Sequence, residues 1–436
     1  MAVTEEPISL SNTHQEGSRQ SIEEEPAQAF HETERWNYPR SNVFKTLATF
    51  WSFLVMGMND AAYGPLIPYL ERYYHLSYTV VSLVFFSPLV GYTAAAFLNS
   101  RIHNKLGRRG VAWLTPSCHI IAYIINCCHP PYPVLIVSFI FAGFGNGLGD
   151  ASWNTWIGNM ADSNQILGLL HGLYGVGGVI SPLIATSLIT KANVPWYYYY
   201  YIMIACAATE LAVCASAFWD ASAERDKARE PQEAVDTKAG LREVLSKKSY
   251  ARVTWICAIF LLGYVGIEVA LGGWIVSFMI QVRHGQSFAS GMTATGFWLG
   301  ITMGRMALGF ITPRIGEKLA IIVYSCCAIT AGLVLWLVPN FYSSAVAVSL
   351  QGFFLGPFFP AAVVVATKLL PRHLHVSAIG FAAAFGGGGA AILPFAVGAI
   401  AQARGVKVLQ PFIIGLSGGI LLLWLGLPRL PKKNHA

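Results

Sequence analysis

The stretch SRIHNKLGRRG, residues 100–110, is a short basic turn that follows a long apolar segment. A second basic turn, GFITPRIGEK at residues 309–318, also follows an apolar segment. A shift of 209 residues, the separation of Gly107 from Gly316, aligns the two turns and the apolar segments before them without a gap. This match indicates that the chain is built from two related halves. The same shift places Gly57 on Gly266, Asn59 on Glu268, Gly64 on Gly273, Gly91 on Gly300, Ser100 on Gly309, Lys105 on Arg314 and Arg109 on Lys318.

The composition is that of a membrane protein. The 436 residues are 54% hydrophobic and only 12% charged, with a mean hydropathy of +0.50, whereas soluble domains carry about 25% charged residues. Apolar stretches recur at the length needed to cross a hydrocarbon core of ~30 Å. The sequence therefore predicts an all-α integral membrane protein with twelve transmembrane helices. The spans are expected at 45–70, 79–101, 110–128, 133–160, 165–190, 195–219, 251–281, 288–312, 319–338, 341–369, 374–402 and 407–428.

The net charge of +7 follows the predicted topology. Of the 29 lysines and arginines, five lie in the odd-numbered connections and Arg305 lies inside a span, so the other 23 share one side with both termini. This asymmetry predicts cytoplasmic termini and excludes a nucleic-acid surface. The expected domains are a disordered cytoplasmic tail at 1–44, a six-helix bundle at 45–219, a cytoplasmic linker at 220–250, a second six-helix bundle at 251–428 and a tail at 429–436. The eight cysteines show no metal-ligand spacing, so we predict no metal and no other cofactor.

The two basic turns resemble the G-x-x-x-[DN]-[RK]-x-G-[RK]-[RK] signature of the major facilitator superfamily. The first turn has Ser100 in place of the leading glycine, and the second has Pro313 in place of the acid. The resemblance implies two pseudo-symmetric six-helix bundles that work by alternating access, with these loops latching the halves together in the outward-open state. The gating residues that we predict are Asn104, Lys105, Gly107, Arg108, Arg109, Arg305, Arg314 and Gly316.

Ionisable groups inside spans are candidates for function because burying charge in a membrane is costly. GMNDAAYGP, residues 57–65, places Asp60 about 15 residues into the first span, roughly 22 Å deep. Glycines and prolines around it can interrupt the helix, and transporters build sites at such interruptions. In GFGNGLGDASWNTW, residues 143–156, Asn146, Asp150 and Asn154 follow one another at four-residue intervals and so share a helical face.

These stretches resemble the G-x-x-N-D and G-x-x-x-E-x-x-x-N patterns of the fucose/glucose/galactose permease group, with Asp150 in place of the glutamate. The resemblance implies that Asp60 and Asp150 share a central cavity and couple transport to protons; the alternative is that each acid only bridges helices. The residues predicted to contact the solute are Asn59, Asn146, Trp153, Asn154, Glu268, Trp274 and Gln351.

Other buried polar residues receive weaker interpretations. Arg305 lies about 10 Å from Glu268 along the membrane normal by counted depth, so no pairing is predicted. Arg305 either snorkels to the interface or faces the cavity. We assign no role to Glu210, and for His171 we favour a packed, hydrogen-bonded side chain over a cavity position.

Three longer stretches, GMNDAAYGPLIPYLERY, GYVGIEVALGGW and GFWLGITMGRMALGF, are similar to fungal members of the permease-like branch, the "bypass of stop codon" type. We therefore expect a monomeric secondary transporter, not an enzyme, that moves a small polar, sugar-like solute by proton symport. Its partners are the solute, protons and membrane lipid, with no nucleic acid, and the plasma membrane is favoured over the vacuolar membrane. Two alternatives stay open: a proton-antiport exporter of a secondary metabolite or toxin, which the many aromatic residues would suit, and a non-transporting nutrient sensor.

Overall fold

The computed structural model of the protein describes residues 34–161, 163–224 and 237–428. The predicted tails and the linker fall partly outside these ranges. Helices make up most of the described residues. Their bounds are α1 Ser41–Ala61, α2 Tyr63–Tyr74, α3 Tyr78–Val81, α4 Leu83–Cys127, α5 Tyr132–Gly158, α6 Ser163–Thr190, α7 Tyr198–Ala217, α8 Thr237–Ser246, α9 Lys248–Gln281, α10 Ser287–Ile315, α11 Glu317–Leu337, α12 Phe341–Leu355, α13 Phe358–Leu369, α14 His375–Arg404 and α15 Leu409–Leu425.

These helices form twelve membrane spans. Nine helical segments of the described chain are long and apolar enough to cross a membrane by length and composition alone. One of them, Tyr78–Cys127, contains two spans that meet at Gly107, where the backbone is not helical. The other two spans are the interrupted first one and the eighth one, which is rich in glycine and threonine. Span 1 is α1 with α2; spans 2 and 3 are the two parts of α4; spans 4, 5 and 6 are α5, α6 and α7; spans 7, 8 and 9 are α9, α10 and α11; span 10 is α12 with α13; spans 11 and 12 are α14 and α15.

Two spans are interrupted near prolines. In span 1, α1 ends at Ala61 and α2 begins at Tyr63, and Pro68 inside α2 cannot donate to the carbonyl four residues earlier. In span 10 the helix stops at Leu355 and resumes after Pro357. The helix interruption that the sequence predicts beside Asp60 is therefore present at Ala62, a single residue whose backbone angles stay in the helical region.

The predicted repeat is confirmed by backbone contacts. Gly91 of span 2 lies against the carbonyl of Ile140 in span 4, and its mate Gly300 lies against the carbonyl of Ser349 in span 10. Both the glycines and their partners are related by the 209-residue shift. A side chain at either glycine would collide with the carbonyl that it faces. Only glycine therefore permits span 2 to touch span 4 and span 8 to touch span 10.

The basic turns also match in backbone conformation. Gly107 has φ of 66° and Gly316 has φ of 92°, a region that residues with a side chain rarely adopt. Each glycine therefore lets a span turn back into the next one at the end of its basic loop. The predicted all-α membrane fold with two pseudo-symmetric six-helix bundles is what the structure shows.

Both ends of the described chain lie on one side of the bundles, which we call the linker side. There, Arg252 at the start of span 7 donates to the carbonyl of Gly426 after span 12, at 2.9 Å. The amide of Ala161 after span 4 donates to the carbonyl of Glu34 before span 1, at 3.0 Å. The opposite side is called the outer side.

The two halves touch along their outer parts, in a contact that we call the outer seal. Gly64 of span 1 packs against the carbonyl of Gly272 in span 7, and its repeat mate Gly273 packs against the ring of Phe85 in span 2. Tyr78, just before span 2, donates its hydroxyl to Gln281 at the end of span 7. A cavity of about 300 Å³ lies beyond the seal, between the outer ends of spans 1 and 7. The outer side of the molecule is therefore closed beneath this vestibule.

Candidate functional site

Asp60 lies at the break in span 1 and is half-buried. Its Oδ1 accepts hydrogen bonds from the amide nitrogens of Asn59 and Asn146, at 2.9 and 3.1 Å. Its Oδ2 accepts a hydrogen bond from the hydroxyl of Tyr174 in span 5, at 2.8 Å. Three neutral donors stabilise a carboxylate without cancelling its charge, so a proton can compete with them for the same oxygens.

Asn146 joins Asp60 to a polar cluster in the core of the N-terminal half. The Oδ1 of Asn146 lies 2.9 Å from Nε2 of His119 in span 3, and Nδ1 of the same ring lies 2.8 Å from Oε2 of Glu210 in span 6. Ser52 of span 1 donates to Oε1 of Glu210 at 2.6 Å. A chain of hydrogen bonds therefore runs from Asp60 into the core. Glu210, to which the sequence assigned no role, is a member of this cluster.

A second series of polar side chains leads from Asp150 towards the linker side. Asn154 donates to Oδ1 of Asp150 at 2.8 Å, and its own Oδ1 lies 3.0 Å from Nε2 of His171 in span 5. Asp150 is half-buried, whereas the ring of His171 is exposed. The hydrogen bond favoured for His171 is present, and its ring packs edge-on against Phe53 at 5.4 Å between centroids, while the same side chain is also exposed. Span 4 ends and span 5 begins on the linker side, so this series of polar side chains runs in that direction.

In the C-terminal half, Arg305 and Glu268 form an ion pair. Nη2 of Arg305 lies 2.9 Å from Oε1 of Glu268, and the two side chains are 21% and 7% exposed. Arg305 also donates to the hydroxyl of Tyr264 at 3.2 Å and to the carbonyl of Gly356, at the break in span 10, at 3.4 Å. The expectation that Arg305 and Glu268 do not pair is wrong, because counted depth locates Cα atoms and ignores the reach of a long arginine side chain.

Replacing Arg305 by Met is expected to destabilise the protein by about 3–5 kcal/mol, because Glu268 would keep a buried charge without its partner. Replacing both residues by Met removes that charge and should restore most of the lost stability. Thermal unfolding of the purified full-length chain in detergent measures both effects. Equal losses in the single and double variants would show that the arginine contributes by packing alone.

Three of the predicted solute contacts are fully buried. Trp153 is fully buried, stacks on Phe218 and donates to Ser52. Trp274 is fully buried in the outer seal and donates to the carbonyl of Pro394. Gln351 is fully buried beside Gly332 of span 9, inside the C-terminal half. In this conformation none of the three side chains has surface exposed to a solute.

The predicted gating residues lie on the linker side, apart from Arg305. Gly107 packs against the backbone of residues 221–223, and the guanidinium of Arg109 lies 4.0 Å from the ring centroid of Trp219. Asn104, Lys105 and Arg314 are exposed. Arg108 and Gly316 are half-buried in the same loops. The role of these residues as latches stays a prediction, since the closed contact described here is at the outer side.

Sequence reasoning missed Tyr174 and Tyr264 as partners of the buried charges. Both are tyrosines in glycine-rich stretches of apolar helices, a pattern that equally fits packing. His119 stands inside an apolar span of the sequence, and only the folded structure shows that it faces Glu210. Among the described residues, no group of three or more His, Cys, Asp or Glu side chains is arranged to hold a metal ion.

Comparisons with known proteins agree with this architecture. Residues 49–349 match the sequence profile of the Major Facilitator Superfamily. "Bypass of stop codon protein 6" of Saccharomyces cerevisiae is 29% identical over 420 residues, which cover 90% of this chain and 84% of that protein. "Glucose/mannose transporter GlcP" of Bacillus subtilis is 23% identical over 355 residues, which cover 79% of this chain and 85% of that protein.

Solved structures show the same fold. The crystal structure of a D-xylose-proton symporter matches with a TM-score of 0.71 at 13% identity, covering 88% of this chain and 98% of that one. The transporter FucP in its outward conformation matches with a TM-score of 0.58 at 15% identity, with the same coverage of each chain. At these identities the likeness concerns the arrangement of helices.

Proposed function

The chain belongs to the major facilitator superfamily of multi-pass membrane transporters, and from this premise we propose that it is a proton-coupled carrier of a small polar, sugar-like solute. The observation that carries the proposal is the half-buried carboxylate of Asp60, held by three neutral donors at a break in span 1. The printed name of the relative GlcP, a glucose/mannose transporter, supports the solute class.

Asp60 is the proposed proton carrier because its partners can respond to its protonation. As a carboxylate, it accepts from the hydroxyl of Tyr174. A proton on Oδ2 turns that oxygen into a donor, so Tyr174 must accept the hydrogen bond and redirect its own hydrogen. The backbone of Tyr174 packs on Gly57 of span 1, and the neighbouring Gly175 packs on Thr302 of span 8 in the other half. Protonation of Asp60 therefore changes a hydrogen bond to a segment of span 5 that contacts both halves of the protein.

The solute site proposed here lies between the polar series of the N-terminal half and the ion pair of the C-terminal half. Asp150, Asn154 and His171 offer carboxylate, amide and imidazole groups on one wall. Glu268 and Arg305 offer a carboxylate and a guanidinium on the other. Donors and acceptors of both kinds suit a neutral solute with several hydroxyl groups, because each hydroxyl both donates and accepts.

The charge distribution orients this site. The linker side carries most of the lysines and arginines, so we propose that it faces the cytoplasm. The closed outer seal and the polar series towards the linker side then describe an inward-facing conformation. In the alternate conformation the basic loops would meet and the seal would separate, which exposes Asp60 to the other side.

The test is uptake into proteoliposomes that contain the purified full-length protein. Labelled D-glucose, D-mannose and D-xylose are the probes, with a pH gradient imposed so that protons flow inward. We expect at least one sugar to accumulate above its external concentration, and accumulation to stop when a protonophore collapses the gradient. Expulsion of a preloaded solute under the same gradient would support the exporter instead. Equal distribution of every probe with and without the gradient would contradict proton-coupled sugar transport.

A further inference from the structure

His119 and Glu210 form a buried ionisable pair to which the proposed transport cycle assigns no step. Neither side chain has any exposed surface, and the two come from spans 3 and 6. Burying two ionisable groups costs more than packing apolar side chains of the same size. The pair is connected to the cavity through one residue, Asn146.

The donors and acceptors available on each side chain fix the direction of each hydrogen bond between Asp60 and Glu210. An ionised Asp60 only accepts, so the amide nitrogen of Asn146 faces it and the amide oxygen faces Nε2 of His119, which must therefore carry a proton. Trp153 donates to Ser52, so Ser52 donates its own hydrogen to Oε1 of Glu210.

One proton remains to be placed, and it lies between Nδ1 of His119 and Oε2 of Glu210. The pair is then either an imidazolium with a carboxylate or an imidazole with a carboxylic acid. Both forms are neutral overall, and in both forms Nε2 keeps its hydrogen. The orientation of the Asn146 amide is therefore the same whichever atom holds the shared proton.

We infer that His119 and Glu210 are positioning residues, which hold the Asn146 amide with its nitrogen towards Asp60 and so set the pH at which Asp60 exchanges its proton. This inference rests on the proposed role of Asp60. Without the Nε2 donor, the Asn146 amide is free to turn, and its oxygen can then accept a hydrogen bond from the protonated carboxyl of Asp60. The protonated form of Asp60 would gain a partner that Asn146 does not offer in the wild type, so that form would be favoured.

Other titratable groups surround this hydrogen-bonded chain, and the two double variants described below leave all of them unchanged. They come from every span that packs on it. They are Tyr63 of span 1, Tyr92 of span 2, Tyr123 of span 3, Asp150 of span 4, Tyr174 of span 5, and Cys206, Cys214, Tyr199 and Tyr200 of span 6.

Two double variants isolate the proposed effect. In His119→Gln/Glu210→Gln, the first amide donates to Asn146 and the second donates to the first, so the chain is rebuilt without an ionisable group. His119→Met/Glu210→Gln has side chains of about the same volume and the same charge as the first double variant, but no side chain at position 119 donates to Asn146. Tyr123→Phe is the control, because that ring stacks on His119 and its hydroxyl is not hydrogen-bonded.

The readout is the protonated-carboxyl C=O stretch in infrared difference spectra of the purified protein, recorded over a pH series. The Asp60 band is assigned by its loss in Asp60→Asn. We expect the midpoint of the Met variant to move up by about one pH unit, the equivalent of one hydrogen bond to a charged group. The Gln variant and Tyr123→Phe should keep the wild-type midpoint. Where the Met variant does not fold, as judged by thermal unfolding, His119→Phe/Glu210→Gln replaces it.

Equal midpoints in the Met and Gln variants, or equal shifts in both, would overturn the positioning role. The spectra do not depend on transport, so the two proposals fail separately. A midpoint difference in a protein that does not carry sugars would contradict the proposed function and keep the inference. Proton-driven sugar uptake with no midpoint difference would keep the function and remove the inference.

Discussion

Replacing Asp60 by Asn is expected to reduce proton-driven solute accumulation by about 100-fold, which corresponds to loss of the whole coupling free energy of a typical allosteric protein. The asparagine oxygen can accept from Asn59 and Asn146 as the carboxylate does, and its nitrogen can donate to Tyr174. The variant therefore mimics the protonated acid and should still exchange solute across the membrane without accumulating it. Initial rates of uptake and of counterflow in proteoliposomes measure the two activities.

The control for Asp60→Asn is Glu71→Gln, which neutralises an acid in the same span at the outer vestibule. It should accumulate solute as the wild type does. Wild-type accumulation by Asp60→Asn would remove Asp60 from the coupling mechanism, and loss of counterflow as well would indicate a defect in folding or solute binding.

Replacing Gly64 by Leu is expected to open the outer seal. A Cβ atom at this position collides with the backbone carbonyl of Gly272 in span 7, and backbone cannot move aside as a flexible side chain can. Overpacking of this kind costs about 1–3 kcal/mol, which shifts the equilibrium between conformers by roughly 5-fold to 150-fold. We expect transport to fall by at least about fivefold and the vestibule to become more accessible from outside.

Accessibility is measured with a membrane-impermeant maleimide on a cysteine introduced at Ser277, which is buried and borders the vestibule, in a background with Cys128→Ser. Gly415→Leu is the matched control, since nothing lies within 4 Å of a Cβ atom there. Faster labelling in Gly64→Leu than in Gly415→Leu supports the seal. Identical labelling and turnover in both would mean that spans 1 and 7 do not gate the outer side.

Much of the fold was predictable because its main constraints act on residue types at fixed spacing. Only glycine fits where two helices touch through their backbones, so Gly91 and Gly300 preserve the repeat in the sequence. Gly107 and Gly316 are retained because their backbones have positive φ. Apolar length indicates the spans, and the placement of lysine and arginine predicts their orientation.

The candidate site was less predictable because side-chain direction depends on helix rotation and tilt. The four-residue spacing brings Asp150 and Asn154 together as expected. Trp153, one residue before Asn154, turns towards span 6 and packs on Phe218. A sequence pattern alone could not separate a cavity aromatic from a core aromatic on the next face of the same helix.

The pairing of charges that lie far apart in the sequence was the other feature that could not be predicted. Arg305 reaches Glu268 through the length of its side chain, and His119 meets Glu210 because spans 3 and 6 pack against each other. Both pairs join residues that lie far apart in the chain, so no local spacing records them. A rule that buried charges seek partners predicts that such pairs exist, and the folded structure is needed to assign them.

The most direct measurement is solute-driven proton movement. Proteoliposomes containing the wild-type protein and a pH-sensitive dye in the lumen are given D-glucose, D-mannose or D-xylose without any imposed gradient. We expect a transported sugar to acidify the lumen in the wild type, and Asp60→Asn to take up the same sugar without acidification. Sugar entry with no change of lumen pH in the wild type would contradict proton coupling through Asp60.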